Sequence, residues 1–109
     1  MHNAILIKHA KFPIGQPVRH TLLQYRGIVV DVDLKFQLQG KGSEHIMKDE
    51  VAREQIWYQV LVHNTDQLTY VPETHLLIDS SQEDIDHPVL ELLFRRDEAG
   101  HYQRRNFVQ

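Results

Sequence analysis

The sequence predicts an all-β protein, a small antiparallel barrel followed by a short C-terminal helix. Three observations carry that prediction. Short runs rich in β-branched and aromatic residues alternate at a period of two. Turn formers separate these runs at hairpin spacing. Helical spacing of apolar residues sets in only after residue 81.

The first strand begins near Val18, after Ile14-Gly15-Gln16-Pro17, where Gly permits a tight turn and Pro donates no ladder hydrogen bond. In the next run Ile28, Val30 and Val32 alternate with Val29, Asp31 and Asp33, which predicts a strand with the first three on a core face. Gly27 at its start predicts a bulge or sharp bend. Residues 34–55 lose the alternation, contain Gly40-Lys41-Gly42, and read as a long loop with room for one helical turn. Trp57 to His63 follows as a strand with Tyr58, Val60 and Val62 on one face. Asn64-Thr65-Asp66-Gln67 then turns it into Leu68-Thr69-Tyr70-Val71, an antiparallel hairpin closed at Pro72. The strand His75 to Ile78 comes too soon for the crossover that a parallel pair needs, so the sheet is expected to be antiparallel throughout. Closure into an SH3-like barrel hides the strand edges most economically. Beyond Asp79-Ser80-Ser81, Val89, Leu92 and Leu93 recur at helical spacing, with acidic residues before them and Arg95-Arg96 where a helix would end. Gly100 is expected to stop that helix.

With 109 residues there is room for one domain over 1–109, its barrel at about 11–78 and its helix and tail at 79–109. No cysteine is present, which excludes disulfides and thiolate zinc sites. The apolar run at residues 4–7 is shorter than a signal-peptide core or a membrane span, so the expected compartment is the cytoplasm, with no membrane partner. The net charge of -3 gives no global attraction to phosphate. Basic residues dominate 1–35, whereas 79–93 hold Asp79, Glu83, Asp84, Asp86 and Glu91 without Lys or Arg.

No motif for chemistry emerges. Eight histidines occur without HExxH or other ligand spacing, and surface or partly buried histidines account for them better than a metal. Asp31 and Asp33 share a strand face but read as solvated aspartates rather than a catalytic pair. Gly40-Lys41-Gly42 lacks the first glycine and the Ser/Thr of a phosphate loop, and no nucleophile elbow occurs. The expectation is a non-enzyme with no cofactor. For binding, Arg19, His20, Tyr25, Arg26, Trp57 and Tyr70 are the candidate surface for a partner or DNA, combining a basic stripe with aromatic faces. The competing account keeps the aromatics in the core and the arginines on a solvated face.

Lys11 to His20, Tyr25 to Asp33, Trp57 to Leu61 and Thr69 to Glu73 with Leu76-Leu77 resemble, in this order and spacing, the HspQ family, also called the YccV-like or hemimethylated-DNA-binding family. Ile85-Asp86-His87-Pro88 and Gly100-His101-Tyr102 are similar to one branch of it. The family often has Pro before the Trp-Tyr pair, where this chain has Ile56. The resemblance implies an SH3-like barrel assembling as a homotrimer and a heat-shock, stress-response role. It further implies promotion of the degradation of damaged or regulatory proteins, the replication initiator DnaA among them, by the Lon protease. Preference for hemimethylated DNA is the other implied activity. The net negative charge favours the proteolysis role and makes DNA binding the secondary, weaker one. Trp57, Leu61, Leu90 and Phe94 fall off the faces assigned to the core and are the expected trimer patch.

Overall fold

The computed structural model of the protein describes residues 9–36 and 54–106. The apolar run at 4–7, Gly40-Lys41-Gly42 with most of the expected loop, and Phe107 lie outside the described residues. Five strands, β1 (Pro17–His20), β2 (Arg26–Asp33), β3 (Trp57–Val62), β4 (Leu68–Pro72) and β5 (Leu76–Ile78), form one sheet in the order β4-β3-β2-β1-β5. Every neighbouring pair is antiparallel, and for β1–β2 and β3–β4 the short connections require it. The turn between β3 and β4 places Asn64 at a φ of 61°, a left-handed conformation that Asn tolerates better than most residues.

Gly27 is a glycine because β3 comes close. A Cβ there would lie 2.3 Å from the Leu61 carbonyl oxygen and 2.5 Å from Val60 Cγ1. The bulge, however, sits three residues later than expected: Val29 faces Val60 and Asp31 faces Gln59, leaving Val30 as the inserted residue. One extra residue inverts the alternation beyond it. Val29 and Val32 therefore pack on the inner face while Ile28 and Val30 pack on the outer one, which corrects the expected grouping of Ile28, Val30 and Val32.

Both faces of this sheet are covered. The inner core gathers Phe12, Val18, Val29, Ile56, Tyr58, Val60, Val71 and Leu76. The outer core gathers Ile28 and Leu61 against Ile85, Leu90 and Phe94 from the C-terminal segment. Trp57, Leu61, Leu90 and Phe94 are thereby buried within a single chain, at 3%, 3%, 8% and 3% exposure, so they do not form the expected trimer patch.

The all-β class holds, but the sheet is not closed into the expected barrel, because no ladder joins β5 to β4. A 3-10 turn, Glu73–His75, links those two edge strands directly. Four Cα steps from Pro72 to Leu76 reach at most about 14 Å, whereas the outer strands of a flat five-stranded sheet stand about 19 Å apart. The sheet must therefore curl, bringing its edges together at that corner without pairing them. The Glu73 carboxylate fastens the corner: Tyr58 Oη donates to Glu73 Oε2 at 2.5 Å, and the Lys11 backbone N–H donates to the same oxygen at 3.1 Å. Burial, together with the hydrogen bond to Glu73, pushes the Tyr58 hydroxyl pKa well above its ordinary value.

The C-terminal helix is a single turn, α1 (Leu90–Leu93), and Arg95-Arg96 do not sit at its end as expected. Phe94 is already extended, at φ -131° and ψ 151°, and opens a two-stranded ribbon, β6 (Phe94–Arg96) with β7 (Tyr102–Arg104). Three apolar residues cannot prolong a helix once hydrogen bonding to a partner strand and insertion of Phe94 beside Leu61 both favour extension. Gly100, with φ 85°, turns the ribbon instead of ending the helix. Among the described residues no helix is long and apolar enough to cross a membrane.

Candidate functional site

Arg19 and Arg26 are direct cross-strand neighbours of β1 and β2. Two like charges in that position repel. Asp79, held just past β5 by its N–H donating to the Pro17 carbonyl at 3.0 Å, resolves the repulsion. Its Oδ2 accepts from Arg26 Nε at 2.8 Å and its Oδ1 from Arg19 Nη2 at 3.4 Å. The Ser81 hydroxyl donates to Oδ2 at 3.0 Å, and Arg26 Nη2 also donates to the Glu83 carbonyl at 2.6 Å. The side chain of Asp79 is 2% exposed, that of Arg26 11% and that of Arg19 42%. Burial opposes ionisation of Asp79, yet the hydrogen bonds from Arg26 and Ser81 prevail and hold its carboxyl below the usual value.

His20 and Tyr25 stand beside this pair on the inner side. His20 Nδ1 accepts the backbone N–H groups of Leu22 and Leu23, at 3.1 and 3.0 Å, which fixes a neutral ring with its proton on Nε2. Its ring lies 5.0 Å from that of Tyr25 and 5.7 Å from that of His75. Burial first, and the charge of His75 second, lower its pKa. Tyr25 Oη pairs with Thr69 Oγ1 at 2.7 Å, and burial raises its pKa against that bond. The turn so fastened displays Leu22 and Leu23 at 67% and 71% exposure.

Trp57 and Tyr70 occupy the opposite end of β2. Trp57 faces Asp33 across the ladder and stacks on Tyr70 at 5.1 Å and 19°, with the Phe36 ring edge-on at 5.0 Å. Tyr70 Oη donates to Asp33 Oδ2 at 2.6 Å. Trp57, 3% exposed, offers no free face for stacking a base. The seven residue steps from Arg26 to Asp33 separate the two groups by about 23 Å. The six candidate residues thus fall into two clusters: Arg19, His20, Tyr25 and Arg26 at one end, Trp57 and Tyr70 at the other.

Sequence reasoning missed the role of Asp79 and Ser81, the first of which counted only as one of the acidic residues of 79–93; nothing local marks an acid that pairs 53 residues away. It also missed that histidines act as backbone acceptors. His63 Nδ1 takes the Asp86 N–H at 2.8 Å, and His87 Nδ1 takes the Val89 N–H at 3.2 Å while its Nε2 meets the Gln67 carbonyl at 3.0 Å. These bonds seat the C-terminal segment on the turn between β3 and β4. Among the described residues no group of three or more His, Asp or Glu side chains is arranged to hold a metal.

A groove of about 650 Å³ runs between the turn at residues 13–17, residues 78–83 and the ribbon. Its walls meet at Gly15, whose φ is 94° and where a Cβ would stand 2.4 Å from the Tyr102 carbonyl oxygen. Arg96, ion-paired with Asp84, lies 5.2 Å over the Tyr102 ring. What the described surface offers is binding geometry: two displayed leucines, an open strand edge, a groove, and a ribbon with exposed Arg95 and Arg104. The family model described as "Hemimethylated DNA-binding protein YccV like" matches residues 10–101, spanning the sheet, the Asp79 centre and the first strand of the ribbon, and ends just before β7; the chain belongs to the YccV-like family.

Proposed function

We propose that this protein is a cytoplasmic, non-enzymatic binding factor of the stress response that promotes degradation of damaged or regulatory proteins by an ATP-dependent protease of the Lon type. The observation that carries the choice of a protein partner is the commitment of Arg19 and Arg26 to Asp79. Phosphate neutralisation dominates protein–DNA affinity, and arginines whose charge is partly offset by a buried carboxylate offer less of it to a phosphate. The proteolytic role itself rests on the sequence resemblance. A homotrimer, part of the same resemblance, would have to use surfaces other than the buried Trp57, Leu61, Leu90 and Phe94.

Hemimethylated DNA is the second reading, supported by the family description and by one feature of the fold. The β6–β7 ribbon carries Arg95 and Arg104 exposed, and a two-stranded ribbon is an element that a major groove admits. One preparation tests both readings. The rate at which Lon degrades a test substrate is measured with and without the protein, and affinity is measured for methylated, hemimethylated and unmethylated duplexes at physiological salt. The first reading expects faster degradation and weak, salt-sensitive, unselective DNA binding. Tight hemimethyl-selective binding that Arg95→Ala and Arg104→Ala abolish, with an unchanged degradation rate, replaces it by the second.

A further inference from the structure

We infer that the outer edge of β5 is a strand-addition site for an extended, apolar segment of another protein; this deepens the protein-partner reading by naming where and how the partner is held. Among the described residues β5 ends the sheet, paired with β1 on one side only. The phase of its hydrogen bonds follows from the flanking contacts. Asp79 N–H donates to Pro17 O and Thr21 N–H donates to His75 O, around the central pair Arg19 and Leu77. Residues 75, 77 and 79 therefore bond to β1, and the period of two sends the N–H and C=O of Ile78 and the C=O of Leu76 the other way. The Leu76 N–H is taken by Glu73 O.

Exposed edges are ordinarily blunted by a charge, a proline or a bulge. Leu76-Leu77-Ile78 has none of these, and Leu77 and Ile78 are each 59% exposed on opposite faces. The other edges differ: β4 runs into Pro72, and β7 carries Gln103 and Arg104. Of the seven large apolar side chains exposed among the described residues, four are Leu77, Ile78, Leu22 and Leu23. The turn bearing the last two is bonded to His75 immediately ahead of β5.

The chemistry of the edge selects the occupant. Acceptors flanking a donor at strand spacing match an extended polypeptide backbone, which supplies both. A phosphodiester backbone supplies acceptors alone and would oppose the two carbonyls, and a helix has already satisfied its own amides. The apolar flanks then favour apolar side chains at alternate positions of the added strand.

The test uses the full chain and a fluorescent decapeptide of alternating valine and threonine with lysine at each end, beside the same peptide N-methylated on one strand edge. Binding is followed by anisotropy, and the site by amide chemical shifts. The expected result is saturable binding with the largest shifts at Leu76 to Ile78. N-methylation, which removes backbone donors but leaves the side chains, should weaken it about tenfold or more. Ile78→Pro removes an amide that β1 does not use and should weaken it similarly, while Leu92→Ser, at an exposed position of α1, should not. Equal binding of both peptides, shifts centred elsewhere, or concentration-dependent pairing of β5 with β5 of a second copy would each overturn the inference. No peptide binding by the natural protein, with faster Lon degradation retained, removes the edge and keeps the proteolysis reading. Peptide binding with no effect on degradation does the reverse.

Discussion

Asp79 and His20 show how much a single side chain organises in this protein. Replacing Asp79 by Ala leaves the nearly buried Arg26 facing Arg19 with no carboxylate between them. Removing one partner of a buried pair typically costs about 3 kcal/mol. Urea denaturation of Asp79→Ala should show a loss of that order; a loss below about 1 kcal/mol would mean that the pairing contributes little. Because the Asp79 carboxyl titrates lower folded than unfolded, its contribution is complete above the unfolded carboxylate value of about 4 and disappears as pH falls through the folded one. His20 acts at milder acidity. Its folded pKa lies below the ordinary 6.5, so the unfolded chain binds the proton first and stability declines as pH drops from 6.5 toward the folded value. His20→Asn keeps a side-chain acceptor near Nδ1 but cannot titrate. Its unfolding midpoint should vary less between pH 7 and 5.5 than that of the natural protein, and an unchanged slope would assign the pH dependence to other histidines.

At the scale of elements, the β2–β3 ladder is the feature whose phase departs from the expected one. Alternation in residues 28–33 marks a strand, but a strand with apolar residues on both faces carries no local sign of where a bulge falls. The bulge follows from how β2 must bend to serve two cores, which only the packed structure fixes. Gly27 is the point of closest approach in that ladder. Gly27→Ala would press a methyl group against the Leu61 carbonyl and Val60 at less than van der Waals distance. A destabilisation of about 2 kcal/mol is expected from such overpacking, measurable as a lower thermal midpoint, and a neutral substitution would show that the strands can separate at little cost. The C-terminal ribbon illustrates the converse error, since Val89, Leu92 and Leu93 have helical spacing yet produce only one turn.

The whole molecule is two cores sharing one sheet. Adjacent residues, Ile28 and Val29 on β2 and Val60 and Leu61 on β3, point into opposite cores, so neither core can open without disturbing the ladder between them. Unfolding is therefore expected in one transition. Phe94→Ala removes the one fully buried outer-core side chain that the described ribbon contributes and should cost about 3 to 4 kcal/mol. Because the sheet is shared, fluorescence of Trp57 and far-ultraviolet circular dichroism should report the same lowered midpoint. Separate midpoints would show that the C-terminal segment folds as its own unit.

What the sequence alone determined is the content of its local signals: the all-β class, the positions of five strands to within a residue or two, the antiparallel pairing of β1 with β2 and of β3 with β4 across short connections, and family membership from motifs along the chain. Period and turn chemistry act between near neighbours, so they can be read without the fold. The candidate site was legible in its residue types but not in its arrangement. Arg19 and Arg26 were recognised as basic neighbours, while the carboxylate that neutralises them arrives from beyond β5, and Trp57 and Tyr70 were carried to the far end of the sheet. The bulge at Val30, the open seam between β4 and β5, and the exposed edge of β5 were likewise decided by tertiary structure. Each depends on which distant segment covers a given face, and that choice is made by packing the whole chain rather than by any stretch of it.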